Sequence, residues 1–160
     1  MKQITQRATE VFLISQHRNG GRAVFRISLR QLQGIEIGGE LVPRAIDEFP
    51  VISVAAAFAG GVTTITDAKE LRVKETDRIA AMCAALGQLG AQIEPLEDGL
   101  QITGGKVLTG GRVSSCGDHR IAMSMAVAAL RAEAEVVIED TGCTATSFPC
   151  FWELLQGLRA

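Results

Sequence analysis

Two stretches of this chain are apolar on nearly every side, and they limit its architecture more than any other feature. Phe49 to Phe58 and Ile121 to Leu130 are built mostly from Ala, Val, Ile, Met and Phe. Each is long enough for a helix, and a helix without a polar face has to be enclosed by other elements. The runs that read as strands are, in contrast, short and partly polar: Gly34 to Gly39, Val62 to Thr66, and Val136 to Ile138. The expected fold is therefore α/β with buried helices inside and sheets outside, rather than a doubly wound sheet.

Punctuation along the chain supports this order. Val11–Ile14 and Ala23–Leu29 flank Asn19-Gly20-Gly21 and read as a hairpin, behind a polar N-terminal stretch expected to fray. Pro50 fits the first turn of the first buried helix, where a missing N–H costs least. Gly60-Gly61 stops that helix, and Gly90 closes a third, amphipathic one running from Ile79 to Leu89. Ala91–Glu94 and Leu100–Thr103, joined through Glu97-Asp98-Gly99, read as a second hairpin. Gly104-Gly105 and Gly110-Gly111 bracket a short segment. Asp140 to Thr146 reads as a polar loop, and Phe148 to Leu158 as a last amphipathic helix. An internal repeat is also visible. Asp47, an Ala-rich helix, a strand ending in Ile65 and Asp67 are matched by Asp118, an Ala/Met-rich helix, Ile138 and Asp140, at a period of a little over seventy residues.

Composition removes several function classes. With 160 residues, 47% of them hydrophobic, the chain can bury one ordinary core. A net charge of -2 without runs of like charge, 4% aromatics and no tyrosine argue against nucleic-acid or membrane-surface binding. The four cysteines (Cys83, Cys116, Cys143, Cys150) have no CxxC spacing, so reduced thiols in a cytoplasmic protein are expected. Two distant histidines, His17 and His119, provide little material for a metal site. No signal peptide or membrane span is expected, since there is no run of about 18 apolar residues.

The chemistry concentrates in Arg72-Val73-Lys74-Glu75-Thr76-Asp77-Arg78, where five of seven residues are ionisable at the mouth of an apolar helix. If Lys74 to Arg78 is helical, the two cations stand one turn apart on one face, with Glu75 beside them. A multiply charged anion would take charge-assisted bonds from both; the plainer reading is a solvated first turn with a Glu/Arg ion pair. Asp47-Glu48 precedes the first buried helix, so Asp47 is either its cap or a general base at the rim of the core. Asp118-His119-Arg120 opens the second buried helix. Asp118 suits the cap, while Arg120 needs an anionic partner: Asp118, Glu75 or a ligand. Together these residues offer anion binding by Lys74, Arg78 and Arg120, with the carboxylates of Asp47 and Glu75 for proton transfer. The glycine-rich segments match no phosphate-loop spacing, and Cys143 has no neighbour in sequence that would activate it.

Ile46-Asp47-Glu48-Phe49-Pro50, Arg72 to Arg78, Asp118-His119-Arg120-Ile121-Ala122-Met123 and Thr146-Ser147-Phe148-Pro149 occur in an order and spacing that resemble the C-terminal part of the 3-phosphoshikimate 1-carboxyvinyltransferase (EPSP synthase) family. A sister family acting on UDP-N-acetylglucosamine shares the fold but lacks this signature. The resemblance implies an inside-out α/β fold of βαβαββ units, here one incomplete domain. Residues 34–103 would form one full unit, 1–33 the end of the preceding one and 111–160 the start of the next. It also implies a transferase reaction without metal or cofactor, in which the 5-hydroxyl of shikimate 3-phosphate adds to phosphoenolpyruvate and phosphate leaves. Carried over by motif, Asp47 deprotonates the 5-hydroxyl and Glu75 handles the proton at the phosphoenolpyruvate methylene. Lys74 lies between the substrates, while Arg78 and Arg120 hold the phosphoenolpyruvate anion. Two departures are Thr146, where some members carry Lys, and Glu70, where some carry Asn. The expectation is half of an active site, inactive alone, with an N-terminal half missing and a tendency to form homo-oligomers through unpaired edges. The alternative is a phosphate-binding or assembly module without catalysis.

Overall fold

The computed structural model describes residues 10–16, 22–28 and 32–157. Strands β1 (Glu10–Gln16) and β2 (Arg22–Ser28) pair antiparallel, Glu10 opposite Ser28, as the first expected hairpin. Its Asn19-Gly20-Gly21 turn and the expected frayed start lie outside the described residues.

A four-stranded sheet and the helices it covers carry most of the core. Strand β3 (Glu36–Ile37) leads into α1 (Leu41–Ala45) and α2 (Phe49–Phe58). Strand β4 (Val62–Ile65) then returns parallel to β3, α3 (Arg78–Gln88) follows, and β5 (Gln92–Pro95) with β6 (Leu100–Thr103) forms the second hairpin. The sheet order is β3-β4-β6-β5, so β6 lies antiparallel between β4 and β5. A β-α-β crossover recurs further on: β7 (Gly111–Ser114), α4 (His119–Ala129) and β8 (Val136–Glu139), with the two strands parallel. A 3₁₀ turn over Thr141–Thr146 leads to α5 (Phe151–Gly157).

Helices α2, α3 and α4 pack on one another, with β5 and β7 against α3, β6 against α2, and β8 against α4. Thr63 and Ile65 of β4 and Leu100 and Ile102 of β6 face inward and are buried, while the alternate residues are partly exposed. This is the α/β arrangement expected, helices inside and sheet outside. Phe49, Leu71, Ile79, Met82, Leu86, Leu89, Ile121 and Met125 fill the space between, each almost fully buried. A buried side chain of this size contributes about 1.5–3 kcal/mol of transfer free energy. Small buried residues on the helices (Ser53, Ala56 and Ala57 on α2; Ala122 and Ala126 on α4) favour close helix approach. Gly104 is required where the hairpin meets the end of α2, because a Cβ there would run into the carbonyl oxygens of Ala56 and Ala59. Among the described residues no helix is long and apolar enough to cross a membrane.

Several local expectations need correction. The stretch from Lys74 to Arg78 is not helical. A 3₁₀ turn over Lys69–Val73 ends at an extended Lys74, and α3 begins only at Arg78. Asp77 causes the delay: it is the extended N-cap residue, and its carboxylate accepts the backbone N–H of Ala80 at 3.0 Å. The supposed polar loop after Asp140 is the second 3₁₀ turn, stabilised from within by Thr144 and Thr146, whose hydroxyls donate to the carbonyls of Thr141 and Cys143. The last helix starts at Phe151, after Pro149, rather than at Phe148. Helix α1 and strand β7 had no clear signal, β7 because its Gly-Arg-Val-Ser sequence carries one strong strand former.

The repeat has a backbone counterpart. Asp67 follows β4 and Asp140 follows β8, and both adopt left-handed conformations (φ 60° and 58°). Aspartate tolerates that region better than most residues.

Candidate active site

Helices α2, α3 and α4 bring their N-termini to one place. The partial positive charge at each of those ends favours anions, and five carboxylates gather there: Asp47, Glu48, Glu70, Glu75 and Asp118. Three cations thread between them: Lys74, Arg78 and Arg120.

Arg78 is the centre. Its side chain is 1% exposed although it opens α3. Nε donates to Asp118 Oδ2 at 2.8 Å, Nη2 to Glu75 Oε2 at 2.7 Å, and Nη1 to Asp47 Oδ1 at 3.1 Å. Burial works against the charge, but the bonds to Asp118 and Asp47 and the charges of Asp118 and Glu75 outweigh it, so the guanidinium is held above its ordinary pKa. Asp118 is wholly buried and serves two purposes. It pairs with Arg78 and caps α4, accepting the N–H groups of Arg120 at 2.8 Å and Ile121 at 3.4 Å.

Asp47 is not a helix cap; Glu48 stands at that position, without a capping bond from its side chain. Asp47 is instead where the three cations meet. Besides Arg78, Lys74 Nζ lies 3.9 Å from Oδ1 and Arg120 Nη2 lies 3.7 Å from Oδ2. Desolvation alone would raise its pKa. The hydrogen bond from Arg78 and the charges of Arg120, Lys74 and Arg78 outweigh that and hold the carboxyl below its ordinary value of 3.8. Asp47 is therefore ionised at neutral pH, and each cation that leaves it would make it a stronger base.

Arg120 does not pair with Asp118 or Glu75. Its Nη1 donates to the Asp47 carbonyl at 2.8 Å and to Glu48 Oε1 at 3.0 Å, which ties the start of α4 to the start of α2. Lys74 is bonded to Glu70, four residues earlier on the 3₁₀ turn. Arg72 holds the scaffold from outside. It donates to the carbonyls of Leu96 and Glu97 in the β5–β6 loop and to Asp77 at the cap of α3.

All five residues marked in the sequence (Asp47, Lys74, Glu75, Arg78 and Arg120) thus lie in one ion-pair network, a convergence that spacing alone could not reveal. The network adds Asp118, Glu48 and Glu70. Asp118 was legible as a cap and as a candidate partner for Arg120, but not as the partner of Arg78, and Glu48 and Glu70 carried no signal for the cations they hold. Lys74 and Arg120 are the accessible cations, with side chains 20% and 30% exposed. Beside Arg120 opens a groove of about 190 Å³, whose lining includes the polar Asp47, Glu48 and Arg120 and the apolar Val51, Met123 and Phe151.

The sequence family described as EPSP synthase (3-phosphoshikimate 1-carboxyvinyltransferase) matches residues 3–155. The chain belongs to this family. A 3-phosphoshikimate 1-carboxyvinyltransferase from Syntrophotalea carbinolica is 60% identical over 158 residues, covering 98% of this chain and 37% of the relative. One from Geobacter sulfurreducens is 57% identical over 148 residues, or 91% of this chain and 34% of the relative. Among solved structures, an EPSP synthase from Acinetobacter baumannii superposes with a TM-score of 0.79 at 40% identity, covering 93% of this chain and 36% of that one. The chain therefore spans little more than a third of the length of the EPSP synthases it matches.

Proposed function

We propose that this chain forms one wall of an enolpyruvyl-transfer site, acting on shikimate 3-phosphate and phosphoenolpyruvate. The observation that carries this reading is the convergence of three cations on Asp47, with Glu75 bonded to one of them, Arg78, in a chain of the EPSP synthase family.

In the proposed reaction Asp47 accepts the proton of the 5-hydroxyl as its oxygen bonds to C2 of phosphoenolpyruvate. Glu75 takes up a proton from solvent when Arg78 releases it, and delivers that proton to the C3 methylene. It takes one back as the C2–O bond to phosphate breaks, while the proton held by Asp47 leaves with the phosphate. Protonation at C3 develops positive charge at C2, so fixed carboxylates and a nearby acid lower the barrier. Lys74 and Arg120 meet the substrate anions, and Arg78 reaches phosphoenolpyruvate once Asp47 or Glu75 releases it. An anion that draws Lys74 and Arg120 away from Asp47 also strengthens Asp47 as a base, which couples binding to deprotonation. The four thiols are free, which agrees with a cytoplasmic setting.

Orientation between two charged walls supplies much of the rate in such a reaction. Since the chain spans little over a third of its relatives, we expect no turnover from it alone. Phosphoenolpyruvate should bind weakly, with a Kd on the order of millimolar, because the cations of an open site stay hydrated. Calorimetry on the chain and on Arg120→Ala tests this: heat of binding in the first and none in the second supports the reading, and equal heats remove Arg120 from the site.

We also propose self-association. Strands β7 and β8 form a sheet of only two strands among the described residues, and unpaired edges recruit other strands. Next to β8 lies an apolar groove lined by Leu130, Val136, Ile138, Trp152 and Leu155. Light scattering should give a mass above the monomer; a clean monomer at high concentration would dismiss this proposal.

A further inference from the structure

We propose that Glu70 is a built-in competitor that sets how tightly the site holds anions. The inference rests on the reading above, that Lys74 belongs to an anion site.

The Lys74 ammonium lies between two carboxylates, Glu70 and Asp47. They are not equivalent. Asp47 is also held by Arg78 and Arg120. Glu70 is 60% exposed, and among the described residues Lys74 is its only ionic partner. It sits on the 3₁₀ turn that ends just before Lys74, so a change of side-chain rotamer releases it without disturbing a helix. An anion arriving at Lys74 therefore displaces Glu70 first. Until it does, the anion meets a cluster in which five carboxylates outnumber three cations.

An exposed ion pair of this kind is worth at most ~1 kcal/mol, which corresponds to roughly a fivefold change in affinity. Glu70 thus tunes anion binding without abolishing it. A dianion, which feels twice the repulsion of a monoanion at the same distance, is disfavoured more strongly.

The test uses the chain itself with two simple anions of fixed charge near neutral pH, sulfate and nitrate. Binding is followed by chemical-shift titration at constant ionic strength. Glu70→Gln should bind sulfate roughly two- to fivefold more tightly than the unmodified chain, with a smaller gain for nitrate. Glu94→Gln, which removes an exposed carboxylate from the outer strand β5, should change neither. The gain should vanish when Glu70→Gln is made in a Lys74→Met background, because the effect passes through that ammonium. Equal sulfate affinity in the unmodified chain and in Glu70→Gln would overturn the role of Glu70 while leaving the anion site intact. The same gain for both anions, or its persistence without Lys74, would also overturn it. If neither the chain nor Glu70→Gln binds sulfate, the anion-site reading fails and this inference with it.

Discussion

Arg78 Nε donates to Asp118 Oδ2 at 2.8 Å, and neither side chain has more than 1% of its surface in water. This pair joins the first turn of α3 to the cap of α4, and it sets the direction in which the rest of the guanidinium faces Asp47 and Glu75. A buried ion pair gains little over an apolar pair of similar shape, but breaking one partner leaves an uncompensated charge in the core.

Asp118→Asn isolates that cost. Asparagine caps helices about as well as aspartate, so the substitution keeps the α4 cap and removes the charge. A loss of about 3–5 kcal/mol in unfolding free energy is expected, read from urea denaturation with an unchanged m-value. A loss below about 1 kcal/mol would mean that Arg78 finds its compensation elsewhere, in Glu75 and Asp47.

Asp47 makes the acid limb of stability informative. Its folded-state pKa lies below the ordinary 3.8, so its contribution is fully present above the unfolded value and is lost as pH falls through the folded one. Asp47→Asn should therefore lower stability at neutral pH and flatten the decline below about pH 4. The side chain is half exposed, so solvent screens the effect. Parallel pH–stability profiles for the two proteins would show that Asp47 is not held by its cations.

Cys83 on α3 offers a probe of packing. Desolvation, helped by Asp77 and opposed by Arg72, pushes its thiol up to about 11. Cys116 and Cys150 are exposed. Iodoacetamide near pH 8 should modify Cys116 and Cys150 first and Cys83 only on unfolding, because the thiolate is the reacting form. Peptide mapping that finds Cys83 modified as fast as Cys116 would place α3 less deeply than described.

What could be read in advance follows the physics of each residue. Phe49–Phe58 was legible to the residue, because an apolar run with Pro50 at its start and Gly60-Gly61 after it has one consistent interpretation. The second hairpin was legible for the same reason, since Glu97-Asp98-Gly99 punctuates two strand-forming runs. The start of α3 was not. Lys74 to Arg78 has good helix formers, but Asp77 competes for the backbone and wins as an N-cap. Nor could sequence tell which carboxylate each cation would choose. Arg120 went to Asp47 and Glu48, more than seventy residues away, because α2 and α4 pack against each other. The motifs named the participants, and only the packed helices assigned the partners.

The central claim is that this chain carries the proton-transfer wall of an enolpyruvyl-transfer site. The most direct test places it in a whole enzyme. Residues of this chain would replace the matching segment of the Syntrophotalea carbinolica relative, with which it shares 60% identity. Phosphate release is then measured with shikimate 3-phosphate and phosphoenolpyruvate. The account predicts turnover by the chimera, with kcat falling about 100-fold or more when Glu75→Gln removes the acid. A folded chimera without activity, or a Glu75→Gln chimera as fast as its parent, would contradict it.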